Sequence, residues 1–305
     1  MNDHFDIRVI DSHEHAAARR RELDIDRGTA RRLGEEAVRY VEQGWYPGPD
    51  GRPVGWSDAV ELARDGTVSI PPDAQLPERS RSSPGRTLIE VANETALAAA
   101  RRLVDARLVE AGRLVDADQR PLVLNMANGV RPGGGFLTGA RAQEESLCRS
   151  SALYATLVGD AMYAAHATRP QPDSTDWAIL SPDVPVFRDD LGRNLDRPWP
   201  ASFITSAAPH APTVGEPAAG DLLERRVGRL LDIAHAHGFT TLVLGAWGCG
   251  AFGNDPVRTA QSFHHHLQRG AGAFEHIVFA ITDWSPERRL LGAFAATFDA
   301  THSGS

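Results

Sequence analysis

Glu144 and Glu145 are adjacent carboxylates in "RPGGGFLTGARAQEESLC", residues 131 to 148, where Gly133, Gly134 and Gly135 precede a seven-residue spacer and Gln143. Paired acids suit general acid–base work, and glycines let a backbone come close to a ligand and aim its amides there. The acids fall where a helix is expected to start, so they sit beside whatever the glycine loop holds. Acids in a first turn also favour the helix dipole, by roughly 0.3–1 kcal/mol each. Capping alone would therefore account for them, and it is their pairing with three glycines that points to chemistry. A second loop, "LGAWGCGAFGND", carries Gly248, Gly250 and Gly253 as a G-x-G-x-x-G between a strand and a helix. That pattern in a dinucleotide-binding fold expects an acid about 20 residues further on. Glu275 and Asp283 fit poorly, and the loop follows the next-to-last predicted strand instead of the first. No nicotinamide, flavin or other cofactor is expected, and no metal.

The elements that hold these loops read as α/β. Short apolar runs at 87–92, 121–127, 177–180, 201–208, 240–246 and 276–281 are expected as strands, and they alternate with helical stretches at about 94–105, 144–158, 220–237, 256–268 and 286–297. Both glycine loops directly follow predicted strands, and in α/β sheets ligands bind at those ends. Upstream, 27–44 has helical apolar spacing and ends at Gly44, and "YPGPDGRPVGW" reads as a hairpin or loop. The Pro-, Ser- and Arg-rich stretch 71–85 lacks periodicity and is taken as the boundary between a helical, loop-rich extension over 1–85 and a catalytic domain over 86–305.

Composition narrows the chemistry. The 305 residues contain no lysine, so all 32 basic residues are arginine, against 40 acids for a net charge of −8. A Walker-type phosphate loop, a kinase strand lysine, a Schiff base and a lysine nucleophile are excluded. The acidic balance argues against direct nucleic-acid binding, so any phosphate has to be gripped locally. No apolar run approaches the roughly 20 residues of a membrane helix, and the start "MNDHFDIRVIDSHEH" lacks the features of a secretory signal. The chain is read as cytoplasmic. Cys148 and Cys249 lack zinc-site spacing and read as small buried fillers. His264–His266 on one helix face different sides, and His13 and His15 lack the i, i+4 spacing of a helical zinc pair. Asp189 and Asp190 read as a strand end or an arginine partner.

Taken in order, "RTLIEVANETALAAARRLVDA", "VLNMANGVRPGGGFLTGARAQEESLCRSSALY", "VPVFRDDLG", "SAAPHAP" and "LGAWGCGAFGNDP" resemble the microbial type of poly(ADP-ribose) glycohydrolase from about residue 15 onward. The resemblance implies a three-layer α/β/α macrodomain with a mixed central sheet, and release of ADP-ribose from poly(ADP-ribose) or ADP-ribosylated proteins. It implies Glu145 as the catalytic acid and Glu144 on the ribose hydroxyls, with Gln143 among the binding residues. Asn128 would hold the distal ribose, and Gly133 to Gly135 would run along the diphosphate. Gly248, Gly250, Ala251 and Gly253 would form the second phosphate loop, with Phe252 pressing the distal ribose toward the acid. Met126, where relatives often have an aromatic, is expected to point into the sheet core. Successive helix residues diverge by about 100°, whereas ordinary glycosidases flank the scissile bond with their two carboxylates. One glutamate is thus expected to move the proton while the other does something else. A hydrolase for single ADP-ribose units and a non-catalytic ADP-ribose reader are the rival readings.

Overall fold

Apolar runs bounded by turns assemble into a central sheet between two layers of helices. The computed structural model describes residues 4–78, 85–111, 120–270 and 272–299. Its strands are β1 (Phe5–Ile10), β2 (Trp45–Pro47), β3 (Pro53–Gly55), β4 (Val68–Ile70), β5 (Thr87–Ala92), β6 (Leu122–Met126), β7 (Ala178–Arg188), β8 (Asn194–Ser206), β9 (Thr241–Leu244) and β10 (His276–Ala280). Its helices are α1 (His13–Leu23), α2 (Arg27–Gln43), α3 (Ser57–Asp65), α4 (Ala96–Ala111), α5 (Gln143–Ser150), α6 (Leu153–Leu157), α7 (Ala161–Ala167), α8 (Ala211–Val214), α9 (Ala218–Ala236), α10 (Pro256–Arg269) and α11 (Leu291–Asp299). None of the described helices is long and apolar enough to cross a membrane.

The main sheet has the order β1-β5-β10-β9-β6-β8-β7-β4. The strands from β1 to β8 in that order run parallel, whereas β7 is antiparallel to β8 and β4 antiparallel to β7, so the sheet is mixed. Alternate side chains feed two cores. On one face Val123, Val243 and Val278 pack with Tyr40, Val60, Leu147 and Leu153 from α2, α3, α5 and α6. On the other, Leu122, Leu242, Ile277 and Phe279 pack under α9, α10 and α11. The parallel strands are covered on both faces, which is why they read as nearly continuous apolar runs. Helix α2 matches its expected span: Asp26 accepts the Thr29 N–H at 3.0 Å, and Gly44 closes the helix at φ 77°.

Three expectations change. The single helix expected over 144–158 is two, because Ser151 is extended, bridges to Val186, and uses its hydroxyl on the Leu147 carbonyl. The strand expected at 177–180 runs on to Arg188, and the one at 201–208 begins at Asn194. Pro182, Pro185, Pro198 and Pro200 disguised that long hairpin, whose register shifts between Ser181 and Val184 and between Val186 and Arg188, with Pro185 opposite Pro200. The last helix starts at Leu291 instead of 286, since the Asp283 carboxylate takes the Leu290 and Leu291 N–H groups.

The segment over 1–85 contributes more than helices and loops. Strands β1 and β4 form the two edges of the same sheet that β5 to β10 build. The boundary expected at 71–85 thus falls between two strands of one sheet, and its residues 79–84 lie outside the described residues.

Candidate active site

Strand β6 delivers the first loop. Past Met126, the Asn128 Oδ1 accepts the N–H groups of Val130 and Arg131, both at 3.0 Å, which turns the chain and leaves Nδ2 for the cleft. Gly133 and Gly134 are left-handed, at φ 69° and 57°. A Cβ on Gly134 would lie 2.4 Å from Glu145 Oε1 and 2.9 Å from Glu144 Oε2. The unrestricted backbone is therefore placed where the loop lies directly on both acids. The Gly135 N–H donates to Glu145 Oε1 at 2.9 Å.

The acids are used on this loop and not as helix caps. Ala142 caps α5 without any side-chain hydrogen bond. Glu144 Oε2 instead accepts the Asn128 N–H at 2.7 Å, with Asn125 Nδ2 3.5 Å from Oε1. Burial pushes the Glu144 carboxyl up to about 8, the charge of Glu145 adding to the effect and the Asn128 N–H opposing it. Glu145 Oε2 is buried and has no hydrogen-bond partner among the described residues. Gln143 lines the cleft and also ties α5 to β6: its Oε1 accepts the Met126 N–H at 3.0 Å and its Nε2 donates to the Leu124 carbonyl at 2.6 Å. Behind α5, the buried Arg188 guanidinium bonds the carbonyls of Leu33 and Arg149 and the Glu36 carboxylate, tying α2 to α5.

The second loop leaves β9 and bends at Gly248 (φ 77°), where a Cβ would meet Asn254 Nδ2 at 2.5 Å. Gly250 has nothing within 4 Å of a Cβ position and leaves open space above the loop. Phe252 is half-buried and meets the His210 ring edge-on at 5.8 Å. Gly253 turns the chain against Pro212 and does not line the cleft, so its part is in loop shape.

Between the loops lies a cleft of about 730 Å³, lined by Asn128, Gln143, Glu144, Glu145, Gly248, Gly250, Ala251 and Phe252. Gly133 to Gly135 stand behind that lining and reach it through the two carboxylates. Met126 packs against the sheet core as expected, touches Gly245, and also lines the cleft. The far end adds residues that were not picked out in sequence: Glu94 and Thr95 after β5, Trp284 after β10, and Arg20, Leu23 and Asp24 of α1 and its end. The strand-end rule would have found the first three. Asp190 also lines the cleft, accepts the Thr95 hydroxyl at 2.5 Å and is pushed up by burial, while Asp189 pairs with Arg193 at 2.7 Å.

The remaining candidates stay outside the chemistry. Cys148 and Cys249 are free and buried, and burial pushes both thiols up, Cys249 to about 11, away from the reactive thiolate. His264 packs edge-on against Phe5 and Phe298 while His265 is exposed. Among the described residues no cluster of His, Cys, Asp and Glu is arranged to hold a metal ion.

Residues 34–189 match the family model described as microbial-type PARG, catalytic domain. The chain is similar to the crystal structure of poly(ADP-ribose) glycohydrolase (PARG) from Thermomonospora curvata, with 41% identity and a TM-score of 0.79 over 89% of this chain and 100% of that one. The same organism's enzyme bound to the inhibitor ADP-HPD matches at 40% identity and a TM-score of 0.76, over 88% and 98% of the two chains. The Deinococcus radiodurans enzyme in complex with ADP-ribose matches at 36% identity and 0.68, over 79% and 97%. No curated protein matches the chain. The paired glutamates on a glycine loop, the shared fold and these similarities agree: the chain belongs to the microbial-type poly(ADP-ribose) glycohydrolase family.

Proposed function

We propose that the cleft hydrolyses the ribose–ribose O-glycosidic bond of poly(ADP-ribose), with Glu145 as the general acid. The observation that carries this assignment is the state of the Glu145 carboxylate. One oxygen is fixed by the Gly135 N–H, and the other is buried with no partner among the described residues, placed to meet a group the substrate brings. Glu145 protonates the leaving ribose oxygen as an oxocarbenium-like centre forms, and then, deprotonated, activates water. Glu144, held by the Asn128 N–H, orients hydroxyls of the ribose being cleaved. The diphosphate lies along the two glycine loops and helps stabilise the cation, and Phe252 and Asn128 place the distal ribose.

Arg20, Leu23 and Asp24 line the cleft and narrow access to it in this reading, which favours release of single ADP-ribose units from chain ends. Abundant short oligomers among the early products would count against that part. Two buried thiols fit a reducing compartment such as the cytoplasm. The direct experiment incubates the protein with poly(ADP-ribosyl)ated protein, without added metal, and follows free ADP-ribose by mass spectrometry beside Glu145→Ala. Release by the wild type alone is expected. Undiminished release by Glu145→Ala would remove the acid assignment, and tight ADP-ribose binding without release would mark a reader.

A further inference from the structure

A second cavity, of about 590 Å³, opens between the last turns of α9 and α10. It is lined by Arg225, Arg229, Arg269, His235 and His266, with Asp232 as the lining carboxylate. It also reaches Ala273 and Phe274, which precede β10, whereas the cleft takes Ala280 and Ile281 at that strand's other end. Five residues at about 3.3 Å each separate the two cavities by at least about 15 Å across the sheet. Three guanidiniums against one carboxylate stand out in a chain of net charge −8.

Cations near helix C-termini offset the dipole, and that alone would explain some of them. It does not explain their hydrogen-bonding state. Arg229 donates Nη2 to the Ala74 carbonyl at 2.7 Å, yet its Nε is buried without a partner among the described residues, as is His266 Nε2. An arginine Nε can only donate, so what is missing beside it is an acceptor. The Arg225 side chain has no hydrogen bond or ion pair with the described residues. Gly228 lets the His266 ring pack directly on α9 at the cavity wall, since a Cβ there would lie 2.6 Å from that ring.

We infer that this cavity is a second phosphate-binding site, built for a diphosphate and separate from the catalytic cleft. The diphosphate is either a free small molecule or a remote unit of a polymer whose end sits in the cleft. Only the second source rests on the glycohydrolase reading. A polymer held at both places would compensate for the poor long-range attraction between an acidic protein and a polyanion.

Titration of the full chain with inorganic pyrophosphate, followed by calorimetry, tests the site without reference to activity. Two classes of site are expected, one of them weakened about tenfold by Arg225→Ala and by Arg229→Gln, as charge-assisted hydrogen bonds of this kind imply. Arg225→Ala removes no side-chain hydrogen bond or ion pair among the described residues, so it reports even if Arg229→Gln loosens the segment at Pro71 and Ala74. A single class of site, or affinities unchanged in both variants, overturns the inference. Turnover then separates the sources. A drop in kcat/KM confined to long poly(ADP-ribose), with the dimer unaffected, assigns the polymer, and equal turnover on both assigns a free diphosphate. Should the wild type release no ADP-ribose at all, the catalytic reading fails while the pyrophosphate result still stands.

Discussion

Replacing Gly134 with alanine separates the two demands that its position makes. The first is conformational: at φ 57° a side chain costs about 1–2 kcal/mol. The second is local, because the new Cβ would start 2.4 Å from Glu145 Oε1, whereas ordinary contact begins near 3.4 Å. The carboxylate has to retreat by roughly 1 Å, which by itself costs on the order of 100-fold in turnover when the displaced group is catalytic. It would also leave the Gly135 N–H that holds it at 2.9 Å. Gly51→Ala supplies the control: it has φ 78° and nothing within 4 Å of its Cβ position, so it meets the backbone cost alone. Both variants are expected to lose a few degrees of Tm by calorimetry, in line with a cost of that size. Only Gly134→Ala should lose about 100-fold in kcat for ADP-ribose release. If Gly134→Ala turned over within a few-fold of Gly51→Ala, the carboxylate position seen beside the loop could not be the one that does the chemistry.

The raised Glu144 carboxyl predicts a pH signature in stability. A group held at about 8 in the fold against 4.5 when unfolded costs nothing below about pH 4.5 and destabilises progressively as pH rises through 8. The Tm of Glu144→Gln minus that of wild type should therefore grow between pH 4.5 and 8 and level off above, and a flat difference would contradict the buried environment. Arg188→Ala strands the Leu33 and Arg149 carbonyls and takes one of two arginine partners from the Glu36 carboxylate, at a cost of about 3–5 kcal/mol, or on the order of 10 °C in Tm. Arg32→Ala removes a 59% exposed partner of the same Glu36 and should cost under about 1 kcal/mol, so similar losses in the two variants would refute the buttress. Phe252→Ala is expected to reduce turnover more than ADP-ribose affinity measured by calorimetry, since its task is placement. Equal losses would make it a binding residue only.

Strands β5, β6, β9 and β10 were legible because parallel strands covered on both faces leave unbroken apolar runs in sequence. The edges were not. Val9 is 41% exposed and Val68 is 45% exposed, and a three-residue strand such as β4 carries too few side chains to show a period. Asp183 at φ 49° and the prolines of β7 and β8 look like loop residues, and only the pairing of one long strand with the other makes them sheet. The boundary drawn at 71–85 followed from the same gap. Composition registers a polar, proline-rich connection but does not show that the strands on either side of it belong to one sheet.

The site divides along a similar line. The half with the paired glutamates is local in sequence, since the glycines and the acids they lie against are ten or so residues apart, and the close approach at Gly134 requires a residue without a Cβ. The end formed by α1 left no such trace. That helix buries only Ala16 and has no apolar stripe, so propensity alone gives no reason for it to rest on the cleft. What holds its neighbourhood in place is long-range: Asp11 pairs with Arg288 at 2.6 Å across 277 residues, and Arg141, in the spacer between the glycines and the acids, donates to the Ile25 carbonyl at 2.7 Å. Arg27 in turn donates to the Thr138 carbonyl at 2.9 Å, and its own carbonyl lies where a Cβ on Gly139 would be, at 2.2 Å. The segment that lines this end of the cleft and the loop that leads to the paired glutamates are therefore braced against each other. A change in one has to register in the other, and the seven residues between GGG and QEE owe their glycine and arginine to that contact as much as to the substrate.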